Sequence, residues 1–138
     1  MADVHTRDVR SFNMSRIRSK DTKPEIIVRK ALFAGGFRFR VHDNRYPGSP
    51  DIVLKKYKVV IFIHGCFWHG HKDCKYFKIP QTRTQWWQDK IARNKYNDKK
   101  AIKTLKREGW KVIILWECDL KANKMTKTLN KLAFKILA

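Results

Sequence analysis

Residues 64–74 read HGCFWHGHKDC, and the three histidines and two cysteines in that stretch constrain the fold of this chain more than any other feature. Only three cysteines occur in the whole sequence, and the third, Cys118, follows an apolar run in W-E-C. Val59 to Ile63 and Val112 to Trp116 are continuous apolar runs of strand length, and both read as buried central strands. One of them leads straight into the cluster and the other ends beside Cys118. A tetrahedral metal such as zinc takes four thiolate or imidazole ligands. Cys66, Cys74 and Cys118 supply three thiolates, and one histidine completes the set; the spacing leaves both His69 and His71 open for that place. The competing reading is three buried free cysteines with surface histidines. A filled shell of three cysteines and one histidine is structural rather than catalytic. It pins the loop after the third strand to the end of the fourth and leaves histidine over for chemistry.

At 138 residues the chain is long enough for one hydrophobic core and too short for two. Its 32 basic residues against 12 acidic give a formal charge of +20, a field that favours a polyanionic partner, nucleic acid before an anionic membrane surface. There is no run of eighteen apolar residues, and the opening MADVHTRDVR carries no apolar signal segment. The expectation is a cytoplasmic, intracellular protein, nucleoid-associated when bound to DNA, with no membrane contact. An odd cysteine count clustered with histidines fits zinc in a reducing compartment better than a disulfide framework.

Residues 1–20 are polar and arginine-bearing, with Phe12, Met14 and Ile17 as their large apolar members, and read as an arm that orders on the body or on a ligand such as DNA, ahead of a single domain over 21–138. Thr22 to Ala34 is a predicted helix, with Thr22 as its cap and Gly35-Gly36 as its end. Phe37, Phe39 and Val41 alternate as a strand. A loop with Pro47, Gly48 and Pro50 follows, and Asp51 to Leu54 forms a second strand. Lys55-Lys56 reads as a tight turn. Trp87, Ile91, Asn94, Asp98, Ile102 and Leu105 keep a three-and-four spacing, which predicts a long helix from about Thr84 to Glu108, ended by Gly109. Lys127 to Leu137 fits a final amphipathic helix. This order gives an α/β fold: a small mixed central sheet flanked by helices.

Two carboxylates stand out. Asp51 opens a strand after P-G-S-P, where it serves either as a turn residue or as an oxygen ligand for a hard cation such as Mg²⁺. Glu25 lies in Thr22-Lys23-Pro24-Glu25, a capping box pattern, and otherwise points at the sheet end. Phe67-Trp68 and Trp86-Trp87 are aromatic pairs in a basic chain. They either cover the metal loop or stack on and wedge between bases. From Lys90 to Arg107 eight of eighteen residues are Lys or Arg, a phosphate-binding stripe or simply a solvated helix face. Asn94 and Asp98 interrupt the apolar stripe of that helix and need hydrogen-bond partners, at the site or capping a neighbouring strand.

Together N-M-S-R-I-R-S-K-D-T-K-P-E at 13–25, P-G-S-P-D at 47–51, H-G-C-F-W-H-G-H from His64 and G-W-K-V-I-I-L-W-E-C at 109–118 resemble the very short patch repair (Vsr) endonucleases over nearly the whole chain. The resemblance implies a restriction-endonuclease-like fold carrying a structural zinc site. It implies an enzyme, a Mg²⁺-dependent phosphodiester hydrolase that nicks one strand of double-stranded DNA 5′ to the thymine of a T·G mismatch, the lesion left when 5-methylcytosine deaminates. On that resemblance Asp51 carries the catalytic Mg²⁺ with the backbone carbonyl of Ile63. His69 is the general base, His64 assists the phosphate or a metal-bound water, and Glu25 acts behind the metal. Cys66, His71, Cys74 and Cys118 hold Zn²⁺, while Phe67, Trp68 and Trp86 enter the duplex from the major-groove side and Met14 from the minor. Ile63 stands where a threonine is familiar, and F-I-H replaces the acidic-x-Lys pattern of restriction-type nucleases.

An unperturbed imidazole titrates near pH 6.5 and so accepts a proton near neutrality, and a weakened mismatch lowers the cost of opening a base stack. The resemblance also implies a functional link to a DNA cytosine methyltransferase and to mismatch-repair proteins, and a single-strand nick needs only a monomer. The rival readings are a nickase of the same fold with another target, a non-catalytic zinc-stabilised DNA-binding module, and a basic zinc protein that binds RNA.

Overall fold

The computed structural model describes residues 21–138; the expected arm over 1–20, with Met14, lies outside the described residues. Helix α1 spans Lys23–Ala34, with Pro24 in its first turn where the missing N–H costs nothing. Thr22 precedes it in an extended conformation but makes no side-chain cap bond. The Glu25 carboxylate instead accepts the backbone N–H of Asp21 at 2.8 Å. At the other end the Phe37 N–H donates to the Leu32 carbonyl across Gly36, whose φ of +88° closes the turn. Leu32 and Phe37 are then buried together in one cluster.

That turn also shortens the expected strand over 37–41. The Phe37 N–H is committed to the helix end, and only Arg40–Val41 remains as strand β1. Strand β2 is Ile52–Leu54, β3 is Val59–His64 and β4 is Lys111–Trp116. They form one sheet in the order β1-β2-β3-β4, antiparallel except for the β3 and β4 pair, which is parallel. The predicted Lys55-Lys56 turn is a short 3-10 turn over Lys55–Tyr57, with Lys58 left-handed after it.

Helix α2, Thr84–Arg107, crosses from β3 to β4, and helix α3, Ala122–Leu137, closes the chain. The Trp110 N–H bonds the Leu105 carbonyl at the end of α2, repeating the geometry that ends α1. Helix α3 begins five residues before its predicted start. Its first turn is exposed, so it carries no apolar period to read.

Alternation along the strands sorts two cores. Ile52, Leu54, Val59, Ile61, Ile113 and Leu115 meet residues of α1 and α3 on one face, while Val53, Val60 and Phe62 meet Leu105 of α2 on the other. Burying each such aliphatic side chain contributes about 1.5–3 kcal/mol. Strand β3 is apolar from Val59 to Ile63 because it is paired on both edges and covered on both faces. The result is a small mixed sheet with flanking helices, the restriction-endonuclease-like fold. No helix among the described residues is long and apolar enough to cross a membrane.

Candidate active site

The antiparallel register sets Ile52 beside Ile61, so the residue that opens β2 arrives at the end of β3. Asp51 Oδ2 accepts the Ile63 N–H at 2.6 Å. Burial pushes the Asp51 carboxyl up to about 6, and the charge of nearby Glu25 adds to the rise; the Ile63 N–H, His42 and His69 oppose it. A half-buried carboxyl next to a second carboxylate is a place where a cation is favoured.

His64 ends β3 on the face that α2 covers. Its ring stacks on His69, with centroids 3.8 Å apart and planes 3° from parallel. His69 Nδ1 lies 2.6 Å from Asp98 Oδ2 of α2. The carboxylate accepts from Nδ1–H, which leaves Nε2 of His69 as a free acceptor. Burial, with His69 alongside, drives the His64 imidazole down to about 4, so it is neutral at physiological pH. Its Nδ1 is buried without a partner among the described residues.

The chain then turns tightly. The His69 N–H bonds Gly65 O, the Gly70 N–H bonds Phe67 O and the His71 N–H bonds Cys66 O. Gly70 has φ +58°, and a Cβ there would sit 2.4 Å from Lys95 Cε and 2.7 Å from Ile91 Cγ2 of α2, so only glycine lets the loop lie this close to the helix. Asn94 of α2 donates to the Trp68 carbonyl at 2.9 Å and holds the same loop. Both polar residues of the α2 stripe, Asn94 and Asp98, therefore face this loop.

Cys66, His71, Cys74 and Cys118 bring one donor atom each to within 4.8 Å of one another. His71 Nδ1 is 3.5 Å from Cys118 Sγ, and the Cys118 N–H meets Cys66 Sγ at 3.4 Å. Of the two histidines open to the fourth place, His71 joins the thiols and His69 turns to Asp98. Burial pushes the Cys66 thiol up to about 12; thiols held in such a group become ligands when a metal displaces their protons. The quartet can hold a metal, and with all four donors from protein it is structural in kind. Trp116, paired with His64 across β3 and β4, stacks on His71 at 3.9 Å and meets His64 edge-on at 5.1 Å.

Glu25, only 3% exposed, sits among charged neighbours. Arg29 Nη2 donates to Glu25 Oε2 at 2.9 Å, and Arg29 Nη1 to Asp21 Oδ1 at 2.8 Å. The same Nη2 meets His42 Nε2 at 2.8 Å. His42 Nε2 also lies 3.3 Å from Asp21 Oδ1 and 3.2 Å from Glu25 Oε2, so it accepts from Arg29 when bare and donates to the carboxylates when protonated. Phe67, Trp68, Trp86 and Trp87 form a run of edge and tilted ring contacts beside the site, with Trp68 and Trp86 each 46% exposed. Arg83 lies over the Trp86 ring.

Asp51, Ile63, His64, His69 and Glu25 are thus gathered at one end of the sheet, and the cysteine quartet lies beside them. Asp98 was signalled only as a polar break in an apolar stripe, and Trp116 as a core residue. Arg29 and His42 carried no sequence signal, because one lies on α1 and the other just past β1, and only the tertiary fold brings them together.

Residues 2–76 match the family described as DNA mismatch endonuclease Vsr. The chain is similar to the Type II nicking enzyme V.NmeAIP of Neisseria meningitidis serogroup A, 50% identical over 137 residues, 99% of this chain and 97% of that protein. It is 46% identical to the DNA mismatch endonuclease Vsr of Escherichia coli over 124 residues, 90% of this chain and 79% of the relative. With the Type II nicking enzyme V.XorIIP of Xanthomonas oryzae pv. oryzae it shares 42% over 120 residues, 87% and 88% of the two chains.

Proposed function

This chain belongs to the DNA mismatch endonuclease Vsr family, and from that premise we propose that it nicks one strand of duplex DNA 5′ to the thymine of a T·G mismatch, as in very short patch repair of deaminated 5-methylcytosine. The observation that carries the reading is the His69–Asp98 pair stacked on a neutral His64, beside the half-buried Asp51. That set supplies a base and an oxygen ligand at one point on a molecule of charge +20.

Asp51, with the Ile63 carbonyl, would hold the magnesium ion. Its Oδ1 is left for a metal because Ile63 N–H occupies Oδ2, and Glu25 adds a second negative charge nearby. Bound there, magnesium would offset the negative charge that develops on the phosphate. His69 Nε2 takes the proton from the attacking water as the new P–O bond forms. The bond from phosphorus to the 3′ oxygen breaks, and that oxygen leaves as a hydroxyl after taking a proton from solvent. Asp98 keeps Nδ1 protonated and balances the imidazolium that results, the role of a carboxylate behind a catalytic histidine. Because His64 is neutral, the stacked ring does not oppose that charge.

Zinc is the metal that suits Cys66, His71, Cys74 and Cys118. Zn–S near 2.3 Å and Zn–N near 2.0 Å put tetrahedral S and N donors about 3.5 Å apart, and Cys118 Sγ lies 3.5 Å from His71 Nδ1. Trp68 and Trp86 are exposed enough to wedge into the duplex with Phe67, a step that costs least at a weakened pair. A cytosine methyltransferase that makes the 5-methylcytosine whose deamination leaves the lesion, and mismatch-repair proteins that follow the nick, complete this reading, with the protein acting as a monomer in the cytoplasm.

The names of several relatives favour a second reading, a nickase of the same chemistry serving a different target site. The test is strand-resolved cleavage of end-labelled duplexes with one T·G pair in different flanking contexts, beside matched and methylated controls, in Mg²⁺ or EDTA. A Mg²⁺-dependent nick beside the mismatched T, absent from D51A, is the expected result. Cutting of matched methylated duplex selects the second reading. No cutting by zinc-loaded, duplex-binding protein sinks both.

A further inference from the structure

The carboxylate cluster behind Asp51 contains a residue that neither the chemistry above nor the family motifs employ. Asp21, Glu25 and His42 place ligand-type atoms within 4.8 Å of one another, the arrangement that attracts a divalent cation. Arg29 already lies among them, with Nη1 on Asp21 Oδ1 at 2.8 Å and Nη2 2.9 Å from Glu25 Oε2 and 2.8 Å from His42 Nε2. Its Nε is buried with no partner among the described residues. The guanidinium therefore forgoes one hydrogen bond to keep its two terminal nitrogens on these three groups.

Resting on the reading of Asp51 as a cation ligand, we propose that Arg29 is a built-in cation occupying the second cation position of the centre, so that the protein itself holds a single divalent ion beside Asp51. Formal charge follows the same logic. Asp21, Glu25 and Asp51 bring three negative charges; Arg29 leaves two, which one divalent ion neutralises. Without Arg29 the cluster would carry an uncompensated negative charge next to ligand-type atoms already gathered. Arg29 is also a positioning residue for Glu25. It and the Asp21 N–H both donate to Oε2, leaving Oε1 with no protein donor among the described residues and free to face the site.

The experiment is a Mn²⁺ titration of zinc-loaded, DNA-free protein, read by electron paramagnetic resonance as bound ions per chain. Wild type is expected to bind about one Mn²⁺ and D51N none, R29A about two, and R29K, which keeps the charge, about one. R29M keeps most of the buried stem and covers the case in which R29A does not fold; it too should bind two. R29A combined with H42A should return to one, locating the new ion on the cluster. One ion in both R29A and R29M overturns the proposal, as does a wild type that binds two. A wild type that binds none overturns the Asp51 reading itself, so the two failures are distinguishable.

Discussion

His69 and His71 stand one residue apart and meet opposite chemistries: Nδ1 of His69 faces the Asp98 carboxylate, and Nδ1 of His71 faces the Cys118 thiol. The centre around His69 is built from oxygen and nitrogen donors with valences left open, on Asp51 and on His69 Nε2. The centre around His71 consumes all its donors on one point. Hard ligands with open positions suit a cation that must meet a substrate, and soft ligands in a closed shell suit a cation that only holds backbone together. One loop carries both because its turn at Gly70 separates His69, stacked on His64, from His71, whose N–H bonds back to Cys66, with Trp116 packed between His64 and His71.

If the closed centre is structural, disabling it should have the largest effect of any change on the fold. C118S, or prolonged chelation, is expected to remove zinc and lower Tm by about 10 °C or more, since structural zinc sites contribute many kcal/mol and each kcal/mol shifts a domain of this size by about 3–4 °C. Zinc content and calorimetry check this; an unchanged Tm after zinc loss would erase the distinction. The open centre should behave in reverse. H69A is expected to slow nicking by about 10²–10⁴-fold, the usual range for a general base, with D98N losing about 10²-fold as an orienting partner. Both should leave zinc content, Tm and duplex binding near wild type, measured by single-turnover kinetics beside binding.

The smallest expected effect concerns pH. Folding raises the Asp51 carboxyl from its ordinary 3.8 to about 6, so the folded state holds this proton longer than the unfolded one. The metal-free fold is therefore unpenalised below 3.8, loses stability as pH rises through that window, and carries a constant penalty above 6. If Asp51 holds Mg²⁺ as proposed, the ion offsets that penalty. Its stabilising effect should be a few degrees at pH 7.5, nearly absent at pH 5, and flat with pH in D51N. A Mg²⁺ shift that ignores pH in wild type would place the ion elsewhere.

What was legible in the sequence followed from signals carried by single segments. Val59–Ile63 and Val112–Trp116 are strands because unbroken apolar runs of that length are stable only when buried on both faces. The cysteine quartet was legible because soft ligands rarely cluster without a shared purpose, although spacing alone left His69 and His71 open. The rest depended on tertiary structure. Helix α3 starts at Ala122 through residues with no apolar period, and Phe37 leaves its strand because its N–H closes α1. Arg29 and His42 come from a helix and a strand end that no local pattern relates. Asp98 lay between, since a polar residue on an apolar face announces a partner without naming it.

The tight turn of the 64–71 loop also bears on what heredity can do to it. Inserting or deleting one residue between His64 and His71 would break the turn bonds over 65–71 that hold His69 at one centre and His71 at the other. Gly70, wedged against α2, leaves no slack to absorb the change. Lys72 and Asp73 are exposed between His71 and Cys74, so length can drift there while the donors stay in reach. Substitutions can accumulate across this protein, but between those two histidines its reading frame of side chains must be inherited whole.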